Sequence, residues 1–134
     1  MTNIAYKCVS SNKYGSRNKK MLSPYATGVL ELEFQLGKTT YPIRPELPIF
    51  LFRTLEDAKK RMMGNLILEC EYEESPIKEF FGCNWGHASD IKYIEQIIKQ
   101  QTKRDLKIPG ASGSNFMPQY MILASSVKPI REVD

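Results

Sequence analysis

The sequence has few of the side chains that carry most metal and nucleophilic chemistry. Its 134 residues include one histidine and three cysteines. Cys8, Cys70 and Cys83 are odd in number and widely spaced, which argues against a disulfide framework and favours a reducing compartment. A zinc site would need all three cysteines together with His87, and the sequence has no Cys-x-x-Cys motif. We therefore expect neither a metal nor another cofactor.

Long hydrophobic runs are also missing. The longest notable run, residues 48–52 (Pro-Ile-Phe-Leu-Phe), is far shorter than the roughly 20 residues of a membrane helix. The first seven residues lack the apolar centre of a signal peptide. We therefore expect a cytoplasmic protein that does not associate with membranes.

Convincing catalytic motifs are absent as well. Gly110-Ala-Ser-Gly113 has neither the length nor the lysine of a phosphate-binding loop. Cys83 lies four residues before His87, but loop residues at this spacing need not meet. Glu69 and Glu71 would share one face of a strand and could act as acid and base, although solvent-facing alternation is the preferred explanation. We expect a protein that is not an enzyme.

The hydrophobic pattern predicts strands more than helices. Strands are expected over 4–10, 29–36, 49–52, 66–73 and 119–125, with a polar tail after the last. Helices are expected from the N-cap Thr54 to Gly64 and over about 90–104, and long loops over 11–27 and 109–115. Runs of strands with two helices predict one compact α+β domain over residues 1–134, built on a mainly antiparallel sheet.

Alternation within two strands predicts which side chains face the core. In the strand over 29–36, the inward positions are Leu30, Leu32, Phe34 and Leu36. In the strand over 66–73, the outward positions include Glu69, Glu71 and Glu73. Like charges on directly paired strands are destabilising. These glutamates must therefore lie apart from Glu31 and Glu33, or meet cations from another subunit.

The charge is modest in total but unevenly distributed. The net charge is +4, and residues 1–30 contain no acidic residue but five basic ones: Lys7, Lys13, Arg17, Lys19 and Lys20. A second basic group contains Lys99, Lys103, Arg104 and Lys107. Such local groups suit a small anionic ligand. The outward glutamates would repel a long polyanion, so we do not expect long nucleic acids as partners.

The segment over 80–90 holds the only tryptophan and the only histidine, next to a predicted helix start at Ser89 and Asp90. Aromatic surface beside free backbone N–H groups suits a base with a phosphate. The candidate ligand-binding residues are Phe81, Asn84 and Trp85, with charge from Lys103, Arg104 and Arg17. The structural alternative is that these aromatic rings fill the core, and we expect at least one of Phe80, Phe81 and Trp85 to do so.

Four segments together resemble a known family: Ile4-Ala-Tyr-Lys-Cys-Val-Ser-Ser, residues 48–62 (Pro-Ile-Phe-Leu-Phe-Arg-Thr-Leu-Glu-Asp-Ala-Lys-Lys-Arg-Met), Leu66-Ile-Leu-Glu-Cys-Glu-Tyr-Glu and the aromatic segment. In length, order and segments the chain is similar to the first-described phage Thoeris anti-defence proteins, which are small sponge proteins. The strand followed by Thr-Leu-Glu-Asp-Ala also occurs in unrelated α+β domains, including some that are ADP-ribosyltransferase-like.

The resemblance implies a function and an assembly. Proteins of this family bind a cyclic ADP-ribose isomer made by bacterial TIR enzymes and hold it intact, so that the host effector is not triggered. They form homodimers with ligand at the subunit interfaces, dimers can group into hexamers, and some members bind cyclic oligonucleotides at separate sites. The expected location is the cytoplasm of the host bacterium during infection or lysogeny. The alternatives are an ADP-ribosyl-handling enzyme that uses Glu69 or Glu71, and a small nucleic-acid-binding module.

Overall fold

A computed structural model describes residues 3–11, 20–23, 31–61, 64–77, 95, 98 and 119–133. The strands are β1 (Ile4–Val9), β2 (Met21–Leu22), β3 (Glu33–Phe34), β4 (Ile49–Phe52), β5 (Leu66–Glu74) and β6 (Met121–Val133). One helix, α1 (Leu55–Lys60), lies between β4 and β5.

Four of these strands form a closed barrel in the order β1-β4-β6-β5, and every pairing is antiparallel. The longest runs of paired residues join β5 to β6 and β1 to β5. The pairing between β1 and β4 is short and consists of the single residue pair Tyr6–Phe52. Strands β2 and β3 form a separate two-stranded sheet, and Thr40 forms an isolated bridge with Val127 of β6.

The predicted α+β class with two helices is wrong. Strands make up 51% of the described chain and helix only 11%, with one short helix. Of the predicted second helix over 90–104, only Glu95 and Ile98 are described, and both are helical. The main error lies at the C-terminal end, where β6 continues to Val133 through the polar tail that the sequence pattern places after the last strand.

Pro129 explains why β6 was hard to foresee, because proline within a run argues against a paired strand. Here it lies where the register between β5 and β6 shifts: Glu69 pairs with Arg131 and Cys70 with Pro129, which leaves Ile130 without an opposite residue. Such a bulge tolerates the missing N–H group. The Pro129 carbonyl still accepts a hydrogen bond from the Gly37 N–H at 2.8 Å.

The main core lies on one face of these strands. Its fully buried members include Ala5, Val9, Phe34, Leu51 and Leu68. These positions confirm the predicted inward alternation of β5 and the buried strand over 49–52. Phe34 is buried as predicted, but Leu36 is 50% exposed and does not join the core, because β3 ends at Phe34 and a turn follows. Leu30 lies outside the described residues.

A second cluster packs under α1 and contains Cys8, Phe52, Ala58 and Ile67. Thr54 is the N-cap as predicted: its side chain accepts a hydrogen bond from the Asp57 N–H at 3.1 Å. The helix ends at Lys60, earlier than the predicted end at Gly64.

Gly64 has another role. Its φ is +110°, and a Cβ there would overlap the Val9 carbonyl group. The chain therefore needs glycine where it turns from α1 back into β5 against β1. Nearby, the Asn65 N–H donates to the same Val9 carbonyl at 3.1 Å, so the turn is fastened directly to the end of β1.

The predicted loop over 11–27 is interrupted by β2, which is a second correction. Met21 and Leu22 pair with Phe34 and Glu33, and Leu22 also exchanges backbone hydrogen bonds with Ser10. The two-residue strand is too short to show alternation, so the polar composition around it concealed it. Most of this loop lies outside the described residues, so its closure over a ligand stays an open question of the sequence analysis.

Candidate functional site

The residues that the sequence nominates for ligand binding cannot be placed relative to one another. Phe81, Asn84, Trp85, Lys103, Arg104 and Arg17 all lie outside the described residues, as do Phe80, Cys83 and His87. Their roles therefore stay predictions. The described residues offer a different candidate site on the outside of the closed barrel.

This candidate site, the outer cleft, lies over the paired strands β5 and β6 and has a volume of about 350 Å³. Its lining side chains are Thr39, Tyr41, Glu71, Glu73, Ser126 and Lys128. Asn3 and Tyr72 complete the lining, and the Tyr72 N–H donates to the Asn3 carbonyl at 3.1 Å.

The sheet register explains why these side chains share one face. Directly paired residues point to the same side of a sheet, and neighbours along a strand point to opposite sides. Thr40 pairs with Val127, which is fully buried in the core. Thr39 and Tyr41 therefore point outward, as Ser126 and Lys128 do. Lys128 stands opposite Glu71, and Ser126 stands opposite Glu73.

The cleft is rich in polar groups that lack internal partners. In the described part of the chain, the side chains of Glu71, Glu73, Lys128 and Ser126 make no hydrogen bond or ion pair with another side chain. Tyr41 is 67% exposed at the rim. An open cleft with a few convergent polar groups and an aromatic ring has the composition of a small-molecule site.

Glu69 lies on the same outward face of β5, but its carboxylate is already bound by another side chain. Its carboxylate accepts hydrogen bonds from Arg131 Nε at 2.8 Å and Nη2 at 3.3 Å. The Arg131 guanidinium holds the pKa of the Glu69 carboxyl below its usual range. The sequence analysis expected cations from another subunit beside these glutamates if the two acidic strands were paired. For Glu69 the cation is Arg131 of the same chain. The acidic rows also lie apart, since Glu33 is in β3 and contacts Lys20.

The barrel interior contains a charged side chain next to a thiol. Lys7 lies on the core side of β1, donates from Nζ to the Phe50 carbonyl at 3.1 Å, and lies 5.6 Å from the centre of the Phe34 ring. Burial lowers the pKa of the Lys7 ammonium. Burial also raises the pKa of the Cys70 thiol to about 12, so Cys70 remains protonated and is a poor nucleophile.

The two described cysteines behave as small buried hydrophobic groups in strands. Cys8 and Cys70 are both free and buried. The Cys8 thiol donates to the Ala58 carbonyl at 3.6 Å and so ties β1 to α1. Cys83 lies outside the described residues.

The described residues hold no group of three or more histidine, cysteine or carboxylate side chains placed to bind a metal ion. Within the same residues, no helix is long and apolar enough to cross a membrane. Comparisons with protein-family models, curated proteins and solved structures found no match.

Of the residues that line the outer cleft, the sequence pattern predicts an outward position only for Glu71 and Glu73. The outward position of Glu71 and Glu73 follows from the alternation of β5. Ser126 and Lys128 were missed because the predicted last strand stopped at residue 125. Thr39 and Tyr41 were missed because they join the sheet through one isolated bridge.

Proposed function

We propose that the protein is a phage or prophage anti-defence sponge that binds a cyclic ADP-ribose-type signal, does not cleave it, and so blocks TIR-based Thoeris immunity. The proposal starts from the resemblance of four sequence segments to this family. The outer cleft supports it, because a sponge needs polar groups that are free to bind a ligand. The location would be the cytoplasm of the host bacterium.

One observation favours binding over catalysis. The carboxylates that an ADP-ribosyl-handling enzyme would use are Glu69 and Glu71, and Arg131 holds Glu69 ionised in a two-pronged salt bridge. A general acid needs a raised pKa near neutral pH, whereas the pKa of Glu69 is lowered. Glu69 is therefore a poor candidate for a general acid, and its carboxylate is occupied by Arg131, which weighs against the enzymatic alternative.

Affinity sets a further requirement. A sponge must outcompete a receptor, and nanomolar binding corresponds to about −12 kcal/mol. One stacked base contributes on the order of 1–3 kcal/mol, so many contacts and near-complete enclosure are needed. This requirement favours a site between subunits of a homodimer, with dimers able to group into hexamers. Within such a site Trp85 or Phe81 would stack on the base, Asn84 would contact a polar edge, and Lys103, Arg104 and Arg17 would neutralise the pyrophosphate.

The test separates retention from turnover. Purified protein is incubated with a cyclic ADP-ribose isomer, passed through a desalting column, heat-denatured and analysed by chromatography. The proposal expects the ligand to elute with the protein and to be released unchanged. A new product peak in the protein fraction or the small-molecule fraction would favour the enzyme, and ligand that is neither retained nor converted would reject both readings. Trp85→Ala and Arg104→Ala each test the site, because both should weaken retention.

Nucleic-acid binding is the third reading and is distinguished by salt. Contacts with phosphates release counterions, so such binding weakens steeply as salt rises. The outward row of Glu69, Glu71 and Glu73 opposes a long polyanion on this face of the barrel. Titration of a labelled oligonucleotide at two salt concentrations would detect it.

A further inference from the structure

The outer cleft contains two carboxylates that form no ion pair with any residue that the structure describes. Glu71 and Glu73 are two residues apart on β5 and point the same way, about 7 Å apart along the strand. Lys128 stands opposite Glu71, yet the described residues show no ion pair between them, whereas Glu69 on the same row is salt-bridged to Arg131. Among the described residues, Glu69 is therefore paired with Arg131, whereas Glu71 and Glu73 have no side-chain partner.

Ser126 gives an independent sign that the cleft has an occupant. This residue is 8% exposed and lines the cleft. Its hydroxyl has no hydrogen-bond partner among the residues that the structure describes. A buried polar group without a partner is costly, and native proteins rarely keep one without a bound water or ligand. A ligand in the cleft would supply that partner.

The donors and acceptors indicate which chemical group fits. Ionised carboxylates only accept hydrogen bonds, so their natural ligands are hydroxyl or ammonium donors. A glutamate or aspartate bound to a ribose hydroxyl is a common arrangement in nucleotide sites. Two carboxylates at this spacing can each accept from one hydroxyl of a vicinal diol placed between them, and the Ser126 hydroxyl can complete the set from β6.

The rim of the cleft suits the rest of a nucleotide. Tyr41 is an exposed aromatic ring on the segment that pairs with β6 at Val127, and a base can stack on such a ring. Lys128 lies between that segment and Glu71, where its ammonium group would stabilise a phosphate attached to the ribose. Glu71 and Glu73 would repel a bare anion, so recognition must come from their hydrogen bonds with the diol.

We propose that the outer cleft is a ribose subsite, in which Glu71 and Glu73 accept hydrogen bonds from a 2′,3′-diol. This assignment adds a subsite to the proposed function. It rests on that function only in assuming that the ribose belongs to the sequestered nucleotide. The cleft itself is formed by one chain, whichever nucleotide supplies the ribose.

The test uses the full chain and NMR titrations with adenosine, 2′-deoxyadenosine and methyl β-ribofuranoside. Adenosine should shift the amide resonances of Glu71, Glu73 and Ser126. The 2′-deoxy compound should bind about tenfold more weakly, because it leaves one carboxylate without its donor. The methyl riboside carries the diol without a base. It should shift the same resonances, and weaker binding than adenosine would show that Tyr41 stacks on the base.

Variants provide the control. Glu71→Gln and Glu73→Gln should each remove the preference for adenosine over its 2′-deoxy form, and Ser126→Ala should reduce it. Glu132→Gln makes the same chemical change at an exposed position of β6 outside the cleft and should leave the preference unchanged. Circular dichroism checks that each variant is folded.

The outcomes separate the subsite from the function. If the cyclic nucleotide is retained equally by the wild type and by Glu71→Gln, and adenosine shifts no cleft resonance, the subsite is wrong and the proposed function stands. If adenosine binds in the cleft with the expected preference but the cyclic nucleotide is not retained, the proposed function fails and the subsite stands. Equal binding of adenosine and 2′-deoxyadenosine also overturns the subsite.

Discussion

Arg131 and Glu69 are cross-strand partners in β6 and β5, and the guanidinium grips the carboxylate through Nε at 2.8 Å and Nη2 at 3.3 Å. The contact lies on the same face as the outer cleft. It divides three aligned glutamates into one that serves the sheet and two that face the cleft. The proposed ribose subsite uses the two glutamates that line the cleft.

The Glu69–Arg131 contact predicts a local titration. Arg131→Met should raise the pKa of Glu69 toward its ordinary value, because the hydrogen bonds from Arg131 are the main cause of its lowering. Since the folded pKa is lowered, the contribution to stability is present above the unfolded pKa and is lost as pH falls through the folded one. NMR titration of the Glu69 carboxyl measures the shift, and Lys128→Met is the matched control that should leave it unchanged.

Gly64 predicts a backbone requirement. Gly64→Ala should destabilise the protein by about 3 kcal/mol, because it combines a positive φ with overlap against the Val9 carbonyl. Gly37→Ala is the control: its φ is +79° but nothing lies within 4 Å of the added Cβ, so the loss should be about 1 kcal/mol. Urea unfolding measures both. Equal losses would show that the contact with Val9 is unimportant.

Leu68 and Leu36 form a second matched pair. Leu68 is fully buried in the main core, and Leu68→Ala should cost about 3 kcal/mol through lost burial and a cavity. Leu36 is 50% exposed, so Leu36→Ala should change the free energy of unfolding by no more than about 0.5 kcal/mol. A large loss from Leu36→Ala in denaturant unfolding would restore the longer core-facing strand that the sequence pattern predicts.

Lys7 predicts a pH dependence of stability. Burial lowers the pKa of the folded-state ammonium below 10.5, so the unfolded chain binds more protons between the two values. The stability of the wild type should therefore rise with pH across that window relative to Lys7→Met. Denaturant unfolding from neutral pH to pH 10.5 measures the difference, and the exposed Lys38→Met should run parallel to the wild type. A wild-type curve parallel to that of Lys7→Met would contradict the prediction.

The parts of the fold with strong periodicity could be predicted from the sequence. Alternation located β5 with its faces, the apolar run located β4, and the N-cap at Thr54 located the start of α1. Each of these signals is local. The pairing order β1-β4-β6-β5 was not accessible, since strand order depends on contacts between distant segments that carry no local pattern.

The failures have specific causes. Pro129 and the charged residues after it concealed the second half of β6, because a bulge satisfies a proline in a way that composition does not reveal. Leu36 continues the alternation of β3 but lies beyond its end. The outer cleft needed β6 and the Thr40 bridge, so only its two glutamates could be foreseen. The stacking predicted for Trp85 and the charge predicted for Arg104 stay predictions, because both residues lie outside the described residues.

The central claim is that the protein holds a cyclic ADP-ribose-type nucleotide without breaking it. The most direct test is native mass spectrometry of the protein after expression beside an active TIR enzyme, because protein stoichiometry and ligand mass are read together. The account predicts an oligomer that carries the intact cyclic nucleotide and releases it at the same mass on denaturation. Protein recovered without any nucleotide, or with only a linear product, would contradict it.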